Sequence, residues 1–224
     1  MESLSVLEFE NNETCFSIYV SQNPIGHNTH EGIYLFCGVG LEAKLSPRSC
    51  SLGFIKTYKF VNGGKSLELL HSTPCEDIPS AFNEYRGRLV SGIGHILRIY
   101  ELGMKKLLRK QENKNFASPV ISIKVEESGR IFAADVSESI HVLKYKPEDA
   151  QLYIFADDVL KRWTTSFCLL DHDTVAGIDK FENLYINRLP TGCEDDAEDD
   201  PTASKFKWEN GYLNGAAHKM DGIA

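Results

Sequence analysis

The chain has 224 residues, 42% of them hydrophobic, and a net charge of −8. The run Glu194-Asp195-Asp196-Ala197-Glu198-Asp199-Asp200 supplies six of those negative charges, so the remainder, at −2, lacks the basic footprint of a nucleic-acid binder. No apolar run reaches membrane-spanning length, and six cysteines without C-x-x-C or metal-type spacing exclude the usual zinc frameworks.

From the N-terminus, Thr14–Ser21 reads as a strand and Gln22–His30 as a polar loop. Asn12-Glu13-Thr14 fits the glycosylation triplet, but no signal peptide precedes it and the match is read as chance. Ile33–Cys37 is the next strand, central and buried, followed by an insertion at Leu41–Cys50. Phe54–Val61 and Ser66–Ser72 form a hairpin across Asn62-Gly63-Gly64. Ser80–Tyr85, Arg88–Gly92, Ile96–Leu102 and, after a turn at Gly103, Lys106–Gln111 come next. Val120–Val125 then places Ile121, Ile123 and Val125 on one face by its period of two, ahead of Arg130–Ala134, Ile140–Tyr145 and Gln151–Ala156. The final strands are Thr164–Leu170, Thr174–Asp179 and Leu184–Leu189, separated by a corner at Asp171-His172-Asp173 and a turn at Lys180-Phe181-Glu182-Asn183. This last group lacks a fourth strand, Lys205–Asn214 reads as a short helix or extended segment, and the chain stops mid-group at Ala224.

These groups repeat. Gly87-Arg88-Leu89-Val90-Ser91-Gly92-Ile93, Gly129-Arg130-Ile131-Phe132-Ala133-Ala134-Asp135 and Asp173-Thr174-Val175-Ala176-Gly177-Ile178-Asp179 each join a tight turn to an apolar strand. Their starts are offset by 42 and 44 residues, and a looser copy begins at Glu31, 56 residues before Gly87. A period of 40–45 residues carrying about four strands is that of propeller blades, which stack because one sheet cannot bury both its faces alone. The expected fold is all-β, a partial β-propeller incomplete at both ends. Its blade-like repeats lie at about 14–73, 78–114, 119–157 and 163–224, with an acidic loop at 192–201. Cys15, Cys37, Cys50, Cys75, Cys168 and Cys193 are read as reduced thiols, with Cys37 and Cys168 acting as small hydrophobes within strands.

Candidate chemistry is sparse. His172-Asp173 could begin a metal phosphohydrolase site, but no further ligands stand at recognisable spacing, and both are ordinary corner residues. Gly92-Ile93-Gly94 starts like a dinucleotide loop, yet a strand follows where a helix should open. No G-x-S-x-G occurs. No catalytic, cofactor or metal residue is therefore assigned. Two charged stretches remain. Lys105, Lys106, Arg109 and Lys110, with Lys114, are either a contact for an acidic partner or RNA backbone, or a solvated outer strand that discourages edge pairing. Glu194, Asp195 and Asp196 open a run that is either a self-repelling loop or the face for a basic partner.

Several longer runs carry a resemblance: Leu170–Phe181, Lys106–Lys114, Phe155–Asp158, Arg162–Thr165, Asp200–Thr202 and Leu213–Ala216. Together they resemble the C-terminal propeller of the splicing factor 3b subunit 3 family. The wider group includes the large subunit of the cleavage and polyadenylation specificity factor and the large DNA-damage-binding protein. The resemblance spans about Phe16 to Ala216 and implies a few blades of a seven-bladed propeller, the third in such proteins. It also implies a nuclear, non-enzymatic scaffold in the spliceosomal small nuclear ribonucleoprotein that recognises the branch site. The implied partners are a large helical-repeat subunit and a small companion subunit, with no membrane and with direct RNA contact left open. Rival readings are a paralogue in mRNA 3′-end formation, a ubiquitin-ligase adaptor, and a propeller enzyme with its site at one end of the axis. The chain departs from the pattern at His172 (a tyrosine in the family), Ile178 (an alanine) and Glu182 (a glycine). A non-glycine residue at positive φ in that last turn costs on the order of 1 kcal/mol or more, borne by Glu182 or by Asn183.

Overall fold

The computed structural model describes residues 6–22, 24, 32–147, 150–158 and 160–190, together with three later strands. The first sheet contains β1 (Glu13–Gln22), β2 (Ile33–Leu41), β5 (Leu52–Val61) and β6 (Ser66–Cys75), antiparallel in that order. Between β2 and β5 the chain makes a small excursion, β3 (Lys44–Leu45) with β4 (Arg48–Ser49), within the span expected as an insertion. The β5–β6 hairpin turns through Asn62, Gly63 and Gly64, all at positive φ, which accounts for paired glycines. The second sheet contains β7 (Pro79–Tyr85), β8 (Arg88–Ile93), β9 (Ile96–Glu101) and β10 (Leu108–Asn113), each neighbouring the next.

The third sheet is β11 (Val120–Val125), β12 (Ile131–Asp135), β13 (Ile140–Lys146) and β14 (Gln151–Asp158), and the fourth begins with β15 (Thr164–Leu169), β16 (Thr174–Asp179) and β17 (Leu184–Arg188). The segment expected as a helix or extended chain contains a short hairpin, β18 (Lys207–Glu209) with β19 (Tyr212–Asn214). The fourth sheet does acquire a further strand, contrary to expectation. β20 (His218–Ile223) pairs antiparallel with β17 and parallel with β14, joining the third and fourth sheets. Its sequence, His-Lys-Met-Asp-Gly-Ile, has neither alternation nor β-branched enrichment, so its pairing rests on the two edges that receive it. The fold is all-β and built of blade-type sheets.

A one-residue irregularity recurs in the first strand of each of the four blade-type sheets. It falls between Cys15 and Ser17, Pro79 and Ala81, Val120 and Ser122, and Thr164 and Ser166. Each is a β-bulge, which inserts an unpaired residue and moves everything before it to the opposite face. Strict alternation therefore fails in β11. Val120 and Ile123 are the buried pair, while Ile121 is the extra residue and does not share the face of Ile123 and Val125.

The contacts divide the chain into two compact units, residues 1–94 with 98–110, and residues 95–97 with 111–224. In the first unit Tyr34, Phe36, Ile55, Leu89, Ile93 and Tyr100 form a core between its sheets. β2 comes close to β7 at Gly38, where a Cβ would collide with the Pro79 carbonyl oxygen and with Ser17 Oγ. Ser17 Oγ donates to that same carbonyl at 2.6 Å. In the second unit Phe132, Val142, Tyr153 and Phe155 pack with Phe167, Val175 and Tyr185. Cys37 is buried as expected, but Cys168 is exposed, because the β15 face that carries it has no sheet over it among the described residues. The five described cysteines are free thiols, and Cys193 lies outside the described residues.

Asp135 and Asp179 end the second strands of the third and fourth sheets, and each caps the turn that follows with its carboxylate. Asp135 Oδ1 accepts the backbone N–H groups of Ser137 and Glu138, and Asp179 Oδ1 those of Phe181 and Asn183. Asn183 Nδ2 also donates to Asp179 Oδ2 at 2.8 Å. Positive φ falls on Glu182, at 69°, and not on Asn183, whose side chain is committed to Asp179.

Two substitutions test this account. Glu182→Gly is expected to raise unfolding stability by about 1 kcal/mol in urea titration, by relieving the left-handed conformation. Gly38→Ala is expected to lower it by about 2–3 kcal/mol, since backbone stands on one side of the new methyl.

Candidate interaction surface

The loop joining β9 to β10 is anchored at both ends. Leu102 and Leu107 are buried in the first core, and the Leu107 N–H donates to Thr73 Oγ1 of β6 at 2.9 Å. Gly103 between them is also buried, and a side chain there would strike the Lys106 carbonyl. With its ends held inward, the loop turns Met104, Lys105 and Lys106 outward, and all three are exposed. Neither lysine makes an ion pair with a described residue. Burying two leucines therefore presents two cations beside an exposed methionine.

Arg109 and Lys110 follow on β10, the outer strand of the second sheet, and both are exposed. They differ in what they do. Lys110 Nζ stands 3.1 Å from Glu101 Oε2, and Arg88 Nε stands 3.5 Å from the same oxygen. Burial pushes the Glu101 carboxyl up, but the hydrogen bonds and charges of Lys110 and Arg88 outweigh it and hold the group below the usual carboxylate range. Lys110 thus has an intramolecular task, while Lys105 and Lys106 face outward and Arg109 is exposed on the strand that follows. Lys114 pairs with Glu112 at 3.1 Å. Glu194, Asp195 and Asp196 lie outside the described residues.

The corner at His172-Asp173 is held from the neighbouring sheet. Arg130, immediately before β12, donates through Nη1 to Asp173 Oδ1 and to the His172 carbonyl. Asp173 also accepts from His172 Nε2 at 2.9 Å, and Asp171 Oδ1 accepts the Asp173 N–H. These groups are engaged in securing a turn. Sequence reasoning missed Arg130 as a strut, although the repeated Gly-Arg pairs at Gly87-Arg88 and Gly129-Arg130 gave the signal. Both arginines reach a carboxylate, Glu101 in one sheet and Asp173 across to another. Sequence reasoning also missed an exposed aromatic corner, where Lys180 Nζ sits over the Trp163 ring beside exposed Phe181.

Glu101 makes the pair with Lys110 dependent on pH. A carboxyl lowered in the folded state contributes stability above its unfolded pKa, about 4.3, and loses it as pH falls through the folded value. Between about pH 6 and pH 3 the melting temperature of the native chain is therefore expected to fall further than that of Glu101→Gln, as read by circular dichroism.

Comparison with known proteins places these sheets in a family. The family described as the CPSF A subunit region matches residues 1–219. Spliceosome-associated protein 130 A of Arabidopsis thaliana is 45% identical over 219 residues, covering 97% of this chain and 18% of that protein. Splicing factor 3B subunit 3 of Danio rerio is 43% identical over 98% of this chain and 18% of its own length. Probable splicing factor 3B subunit 3 of Dictyostelium discoideum is 44% identical over 100% of this chain and 17% of its own. The chain thus spans less than a fifth of the length of these relatives. On the extent of these matches, the chain belongs to the CPSF A subunit region family.

Proposed function

We propose that the chain serves pre-mRNA splicing as a non-enzymatic scaffold within a splicing factor 3b-type assembly that recognises the branch site in the nucleus. The observation that carries this reading is identity of 43–45% over nearly the whole chain to proteins whose names place them in splicing. The sheets supply rigid, stacked elements, a platform on which exposed loops meet partners. Lys105, Lys106 and Arg109 form the contact offered to an acidic protein surface, while Lys110 braces the strand behind them. The partners on this reading are the large helical-repeat subunit of splicing factor 3b and its small companion subunit. The acidic residues Glu194, Asp195 and Asp196 are proposed as a second contact, for a basic surface.

The test is affinity recovery of the tagged chain from nuclear extract, with mass spectrometry of what accompanies it. The helical-repeat subunit and its companion are expected. Recovery should drop about tenfold in Lys105→Glu/Lys106→Glu/Arg109→Glu, through loss of complementary charge and association rate. Recovery of cleavage-factor or cullin-type subunits in their place would assign the chain to another branch of the family. A folded chain that retains none of these proteins would remove the basis for the splicing role.

A further inference from the structure

Two cysteines distant in sequence meet on one face of the first sheet. Cys37 of β2 lies opposite Ile18 of β1, and Cys15 lies opposite Val39. In an uninterrupted ladder Cys15 would fall opposite Gly40 and point to the other face from Cys37. The bulge between Cys15 and Ser17 removes one step of register and brings Cys15 onto the Cys37 face. There the two share a cluster with Val39 and Tyr58, packed by Phe9, Leu35 and Phe54. The two side chains thus belong to one packed cluster on adjacent strands. Cys15 is half-buried and Cys37 fully buried, so solvent reaches the first thiol and not the second.

Hydrogen bonding and exposure, not charge, favour reaction at Cys15. Lys56 lies directly across the ladder from Cys37, is paired with Glu13, and sits over the Phe9 ring. The hydrogen bond from the Cys37 thiol lowers the Cys15 thiol to about 7 against the opposing effect of burial. Contact with Cys15 and burial push Cys37 up, while Lys56 acts in the opposite sense. Tyr58 completes the ionisable groups on this face and stays protonated, pushed up by burial.

We propose that Cys15 and Cys37 constitute a reversible dithiol–disulfide site, in which Cys15 is oxidised by a hydroperoxide and Cys37 resolves the product. The Cys15 thiolate attacks one oxygen of hydrogen peroxide, the O–O bond breaks, and hydroxide leaves. Cys15 becomes a sulfenic acid, oxidised by two electrons as the peroxide is reduced. The Cys37 sulfur then attacks the Cys15 sulfur. The S–O bond breaks, the Cys37 proton leaves with the departing hydroxyl as water, and an S–S bond forms between adjacent strands. In sum, two thiols and one peroxide give one disulfide and two waters. Oxidation also primes the second step. Once Cys15 is a neutral sulfenic acid, the thiolate that held the Cys37 proton in place is gone, and the neighbouring Lys56 favours release of that proton.

The full 224-residue chain tests this, reduced and then exposed to hydrogen peroxide. Two thiols are expected to become inaccessible to iodoacetamide, with a tryptic cross-link joining the Cys15 and Cys37 peptides and dithiothreitol restoring both thiols. In Cys37→Ser the Cys15 sulfenic acid should accumulate and be captured by dimedone, and in Cys15→Ser neither product should form. A measurement on the unaltered chain does not depend on the folding of a variant. At neutral pH, Cys15 should be alkylated about tenfold faster than Cys50 or Cys75, as followed by peptide mass spectrometry. A full set of alkylatable thiols after peroxide, a disulfide through any other cysteine, or a Cys15 rate no higher than that of Cys50 would overturn the proposal.

Discussion

In the third and fourth sheets the first strand sends residues three apart into the core, although a regular strand can point only every second side chain to one face. The bulge near its start makes this possible. Val120 and Ile123 are both buried, as are Thr164 and Phe167. In the first sheet Ser17, directly after the bulge and opposite Gly38, donates its hydroxyl to Pro79 of the next sheet at the point where Gly38 lets the backbones close. Stacking of sheets within each compact unit therefore depends on a register change that is written once per repeat.

Much of this was legible in the sequence because turns must use particular residues at particular places. Gly87-Arg88, Gly129-Arg130 and Asp173-Thr174 mark the entry to the second strand of three sheets, and the strands follow them closely. The Asn62-Gly63-Gly64 turn was equally plain, since three successive positive φ values leave little choice of residue. What escaped was information held by partners. The displacement of Ile121 is decided by how β11 meets β12, and the exposure of Cys168 by what covers β15. β20 has no strand-like pattern of its own, and its place is defined by the open edges of β14 and β17.

The candidate surface divides in the same way. The charge of the Lys105–Lys110 stretch could be read directly, and so could the loop at Gly103. That Lys110 belongs to Glu101 could not, because the pairing requires β9 and β10 to lie side by side with Arg88 beyond. The outward set is accordingly smaller than the run of basic residues suggested. It is also better defined, since Leu102 and Leu107 fix the loop that carries it.

β20 lies between a strand completed long before it and another completed somewhat before it. A growing chain emerges with β14 and β17 made but their outer backbone groups unpaired until the residues near His218 are available. For that interval two bare ladders face solvent, the arrangement by which sheets recruit strands from other molecules. Cellular yield of this protein should therefore respond to conditions during synthesis, such as translation speed and chaperone supply, more than its finished core would suggest.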